Sequence, residues 1–285
     1  MSQNSANTMG TLLRVRSRWQ YLFIGTVLIV GGYFAVAIPT WNSKDTLGPS
    51  YLVSGYALLA IMVFLAAFNL RKRLAMLPLI RMRWWNFVHT CLGTVALAVF
   101  WLHTDSLWAS GMYEQILAAL VYLVSASGVC GVFLQRMSPS RLTQTGIEVI
   151  FERIPAELAD LQQQAETLIL ECTRSTGHDT LARSYVESLQ WFFFRPRFVA
   201  SHIRGSQSAE FWLKQRFATV RRYLNHEEQA YLAQLERLAE LKTALDAHYA
   251  GQLLLRSWLL IHVPCVATLL TLALWHVLLV HIYAL

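Results

Sequence analysis

The chain has 285 residues, 55% of them hydrophobic and only 14% charged, with a mean hydropathy of +0.39. That balance excludes an ordinary soluble domain and points to a bilayer as the solvent. The formal net charge of +7 invites a nucleic-acid partner, but residues 136–254 hold 14 basic and 14 acidic side chains, so the whole excess lies in the apolar remainder and nucleic acid is excluded.

A helix needs about 20 mostly apolar residues to cross a hydrocarbon core of roughly 30 Å. Five stretches qualify: 20–38, 51–70, 86–104, 115–134 and 256–281. Arg14, Arg16 and Arg18 precede the first, as in a secretory signal, but its apolar run is too long for an h-region. No small-residue cleavage site precedes Pro39 and Trp41, so it is read as a retained helix. Arg71, Lys72, Arg73, Arg81 and Arg83 lie between the second and third spans. The opposite loops hold Lys44 against Asp45, Asp105 and Glu114. By the positive-inside rule the N-terminus is then cytoplasmic, and five crossings leave the C-terminus outside.

Between the fourth and fifth spans the pattern is helical, with apolar periodicity over 146–172, 180–194 and 208–223. Turn signals separate these runs at Ser175 to Gly177, Arg195-Pro196 and Gly205-Ser206. The run Trp191, Phe192, Phe193, Phe194 beside Arg195 and Arg197 either docks on the membrane face or forms the core of this insert. Asn225 and Glu228 have the form of a capping box. Leu232, Leu235, Leu238, Leu241 and Leu245 follow with charges between them, and no proline intervenes before Pro264, which predicts a helix continuing into the fifth span. Gly251 is the weak point where the chain would otherwise turn.

These readings give an all-α membrane bundle. It comprises a cytoplasmic N-terminal segment (1–19), a four-helix transmembrane block (20–135), a cytoplasmic helical domain (136–254) and a fifth transmembrane helix (255–285). The setting implied is a bacterial-type inner membrane, with a multi-pass chain in contact with lipid and a periplasmic C-terminus.

Ionisable residues inside spans are costly and usually have a partner or a function. His89 and His103 stand 14 residues apart in the third span, and His262 and His276 stand 14 apart in the fifth. Fourteen residues rise about 21 Å and turn to about 40° short of four full turns, so each helix offers two ligands from nearly one face at two depths. The two helices run parallel, which matches His89 with His262 in depth and His103 with His276. The plainer alternative is that these histidines hydrogen-bond between helices or to lipid headgroups. Haem iron accepts imidazole at both axial positions. His281 is a rival to His276, but it lies about 140° further round the helix and is assigned to the outer interface. His178, His202, His226 and His248 show no metal spacing. Cys91, Cys130, Cys172 and Cys265 form no CxxC, so neither an iron–sulfur cluster nor covalent haem is expected.

The H-x13-H pattern of His89 and His103, repeated by His262 and His276, resembles the membrane dihaem cytochromes b, typified by the cytochrome b subunit of quinol:cytochrome c oxidoreductases. The resemblance implies two non-covalent haem b groups, each held by two histidines, and an electron-transfer subunit rather than a stand-alone enzyme. Its partners would be redox subunits or cytochromes, with quinone a further candidate. The chain departs from that group in the large insert between its ligand helices, and no quinol-site motif is present. Arg81, Arg83 and Arg256 lie at the cytoplasmic ends of the ligand helices, where they would either pair with haem propionates or simply report topology. Pro264 frees a carbonyl near His262, which would bend the helix to admit a ring. The competing function is a non-redox membrane scaffold or sensor whose helical cytoplasmic domain binds partners.

Overall fold

The computed structural model describes residues 2–45, 50–68, 82–142 and 151–283, with side chains over 19–44, 50–68, 83–136 and 151–283. Every regular element among the described residues is helical. Four helices are long and apolar enough to cross a membrane, at Trp19–Lys44, Arg83–Thr104, Met112–Arg136 and within His226–Tyr283, and a shorter apolar helix covers Ser50–Ala66. These helices mark a membrane protein. The chain divides into two units, Met1–Val132 with Leu260–Leu285, and Phe133–Leu259.

In the first unit, α1 (Ser2–Asp45) extends well beyond the predicted 20–38, because nothing in 2–19 breaks a helix and Pro39 is accommodated inside it. α2 (Ser50–Ala66) is 17 residues long, and the rest of the predicted span to residue 70 lies largely outside the described residues. α3 is Met82–Thr104 and α4 is Met112–Leu142. α1, α2 and α3 pack closely on one another. Glycine permits this approach: a Cβ on Gly25 would lie 3.3 Å from the Phe87 ring, and one on Gly32 would lie 3.2 Å from Val95. Lipid drives no hydrophobic collapse between helices, so small residues that bring backbones together supply the dispersion contact instead. Leu58, Val95, Val99, Phe100 and Ala118 form the core of this unit. Leu22, Phe23, Val27 and Val129 face outward, which is the arrangement a hydrocarbon solvent favours.

In the second unit, α5 is Ile154–Thr176. It starts later than the predicted 146 because Pro155 fits the first helical turn, where a missing N–H costs nothing; residues 146–150 lie outside the described residues. Gly177 closes it at φ 70°, its amide donating to the Thr173 carbonyl at 3.1 Å. α6 covers 180–194, with a π-helical turn at Tyr185–Leu189 between two short α segments. α7 (Val199–Arg204) is a short helix that the sequence pattern did not single out, and α8 is Ser208–Arg221. α9 runs from His226 to Tyr283 without interruption, Gly251 included, as the leucine stripe predicts.

Phe192 and Phe193 are fully buried and Trp191 and Phe194 are exposed, so the aromatic run divides between core and surface. The core gathers Ile169, Leu181, Leu189, Leu213, Phe217, Leu232 and Leu235 around the two buried rings. Glu228 is buried and caps two chain segments at once. One of its oxygens accepts the Asn225 amide at 3.1 Å, as the capping box requires, and the other accepts the Leu181 amide at 3.2 Å. Lys242 and Asp246 are read from the sequence as charges between leucines, yet both are fully buried and paired at 2.5 Å.

Candidate functional site

In the first unit α3 and α9 bring His103 and His276 together, with ring centroids 6.5 Å apart and planes at 89°. Two imidazoles on opposite sides of one metal ion, with metal–nitrogen bonds of about 2 Å, place their centroids roughly 6 Å apart. Each ring turns about its own metal–nitrogen axis, so orthogonal planes suit such a pair. Both histidines line a cavity of about 540 Å³ between α2, α3, α4 and α9. That volume lies within the range of cofactor and small-molecule sites, about 300–1,000 Å³. Its walls are largely aliphatic, with Leu58, Leu59, Met62, Leu117, Val121 and Leu269 among them.

The backbone makes room for His103. A Cβ on Gly55 would sit 3.0 Å from Cε1 of that ring, so any larger residue here would push the imidazole from its place. At the preceding residue, Ser54 Oγ lies 3.1 Å from His103 Nδ1. Ser54 also lies 3.2 Å from the Ser50 carbonyl and 3.3 Å from that of Tyr51. A hydroxyl whose proton goes to one of those carbonyls has lone pairs free to accept an Nδ1–H. That tautomer presents Nε2 as a bare lone pair. His276 is held differently, from α4. The Tyr113 ring stacks on it at 6.1 Å and 20°, and the Tyr113 hydroxyl donates to the Leu272 carbonyl at 2.6 Å.

Phe68 of the chain following α2 packs on His89, with centroids 4.8 Å apart. His262 Nδ1 lies 3.1 Å from Ser127 Oγ on α4. Trp85, one turn before His89, has a buried indole N–H without a hydrogen-bond partner among the described residues, while its ring packs on Phe64 and Phe68. An orphaned donor beside a candidate ligand suits a site shaped for a further polar group.

The spacing and orientation of His103 and His276, on an aliphatic cavity, therefore fit one bis-imidazole group. Among the described residues there is no cluster of three or more His, Cys, Asp or Glu side chains, so a bare ion held by protein alone has no equivalent site. Of the arginines, Arg81 lies outside the described residues and Arg83 is exposed. Arg256 is engaged within the second unit, where its guanidinium pairs with Glu152 and lies 4.1 Å from the Phe151 ring centroid. His281, exposed near the end of α9, joins the cavity lining. Its Nδ1 donates to the Val277 carbonyl at 2.7 Å, so Nε2 accepts from the Tyr56 hydroxyl at 2.5 Å.

Ser54, Tyr113 and Ser127 were not singled out from sequence, whereas Gly55 reads there only as one of the small residues of the bundle. Their only signal there is membership of apolar spans, and small or hydroxylated residues in spans have many roles. Comparison with known proteins gives no match to a family model, to a curated protein or to a solved structure.

Proposed function

We propose that this chain is a dihaem b-type cytochrome subunit that carries electrons across a bacterial-type inner membrane. In this reading His89 and His262 hold one haem and His103 and His276 hold the other, about 21 Å away along the helix axes. The observation that carries it is the His103–His276 pair, 6.5 Å apart on one aliphatic cavity, with Ser54 and Gly55 shaping the ring's seat. Haem, when bound, supplies one-electron exchange. The chain's own residues bind it, exclude water from it with leucine and aromatic side chains, and set its depth in the bilayer.

The topology that accompanies this function has five spans, with α2 as the second and α9 from residue 256 onward as the fifth. The N-terminus and residues 136–254 face the cytoplasm, and the C-terminus faces the periplasm. Electrons pass between the quinone pool or a cytoplasmic donor and an external redox partner. Charge asymmetry around the spans supports the orientation.

The deciding experiment is an optical spectrum and pyridine haemochrome assay on purified chain expressed with haem in excess. The expected result is two haem b per chain, with the sharp reduced bands of bis-imidazole iron. A colourless, folded preparation overturns the reading and leaves the scaffold function in its place.

A further inference from the structure

Each histidine pair contains one ring gripped by a serine from a neighbouring helix and one packed on an aromatic ring. Ser54 of α2 stands 3.1 Å from His103 Nδ1, and Ser127 of α4 stands 3.1 Å from His262 Nδ1. Their opposite numbers, His276 and His89, meet Tyr113 and Phe68. The pattern is diagonal. Ligand helix α3 carries a serine-held ring at one depth and an aromatic-packed ring at the other, and α9 carries the same two kinds at exchanged depths.

We propose that Ser54 and Ser127 are positioning residues that select the Nδ1–H tautomer of His103 and His262, make these the stronger donor of each pair, and set the two haem potentials separately; this rests on the dihaem reading. A neutral imidazole has one N–H, and the nitrogen without it is the ligand. Chance would leave either nitrogen protonated. A hydroxyl oxygen that accepts the Nδ1–H removes that freedom and holds the ring's rotation. It also draws the Nδ1 proton outward, which enriches the ring in electron density and raises its basicity toward a metal. A more basic axial ligand favours the oxidised, more positive iron, so each serine lowers the potential of its own haem. Phe68 and Tyr113 present ring faces to their histidines and so supply packing in place of a lone pair.

The separation of the two serines makes the inference sharp. Ser54 belongs to the depth of His103 and His276, and Ser127 to that of His89 and His262, so a change at one should be felt at one haem alone.

The test compares S54T with S54V and S127T with S127V in the full-length, haem-loaded chain. Threonine and valine match in shape and differ in the hydroxyl. Potentiometric titration of the visible bands, with electron paramagnetic resonance of the oxidised form, reads each haem separately. We expect threonine to keep wild-type midpoints. Valine at 54 should raise only the midpoint that H276A abolishes, and valine at 127 only the one that H89A abolishes. The expected change is about tenfold in the oxidised-to-reduced preference, close to 59 mV for one electron. Valine matching threonine at both positions overturns the inference, as does a single substitution that moves both midpoints together. Wild-type protein that purifies without haem is a different result, visible before any titration, and removes the dihaem reading and this inference together.

Discussion

Tyr113 grips His276 twice, through a ring stacked at 6.1 Å and 20° and through a hydroxyl that donates 2.6 Å to the Leu272 carbonyl one turn before it. One side chain of α4 thus fixes both the rotamer of His276 and the height of α9 beside it. Replacing Tyr113 by Phe keeps the stack and loses a hydrogen bond whose net worth is about 1 kcal/mol. We expect Y113F to retain two haems with slightly lowered thermal stability. Y113A should release the ring and lower haem content toward one per chain, as read by the pyridine haemochrome assay.

The proposed pairing makes a four-way prediction. H89A and H262A should each abolish the same midpoint in a redox titration, and H103A and H276A should each abolish the other. Two variants of one pair that lose different midpoints would show that the helices do not match in depth.

Sidedness follows from the lysine and arginine distribution. Protease added to right-side-out cells should leave residues 136–254 intact, and in inverted vesicles the same segment should be cut. Cleavage in the intact cells reverses the orientation.

The buried ion pair of the second unit predicts both a mutational and a pH response. Lys242 donates to Asp246 at 2.5 Å and to the Arg195 carbonyl at 3.0 Å, and lies 4.1 Å from the Phe192 ring centroid, while Asp246 accepts the Arg197 amide at 3.1 Å. The pair ties the Arg195–Arg197 segment to α9. Removing one partner strands a buried charge, so D246A should cost about 3–5 kcal/mol. The double replacement K242M/D246L should be neutral or stabilising by about 1–4 kcal/mol. Burial pushes the Asp246 carboxyl up to about 6 from an ordinary 3.8, against the opposing pull of Lys242. Between these values the folded chain holds a proton that the unfolded chain releases, so this group's contribution to stability falls as pH rises from about 4 to about 6. Amide exchange at residues 195–200 reads the change, and D246N should flatten this component.

Much of the architecture is legible in the chain itself. The apolar spans, the leucine stripe of α9 and the histidine spacing are local properties, because a helix converts sequence distance into height and angle by constant increments. His103 and His276 lie on faces that this arithmetic assigns without knowledge of any neighbour. Pro155 and Gly177, which bound α5, likewise act through their own backbone.

The partners of those residues were decided only in three dimensions. Ser54 reaches His103 across 49 residues and Ser127 reaches His262 across 135, and no periodicity relates such positions. The same holds for the aromatic run, where successive residues point about 100° apart, so one helix necessarily splits Phe192 and Phe193 from Trp191 and Phe194. Lys242 and Asp246 share the buried face of Leu232, Leu235 and Ala239, but their charged side chains read as solvent-facing in the sequence. They are buried because the Arg195 carbonyl and the Arg197 amide arrive from another segment to bond Lys242 Nζ and Asp246 Oδ2, and a charge can leave water only when a partner from elsewhere in the fold replaces its hydration.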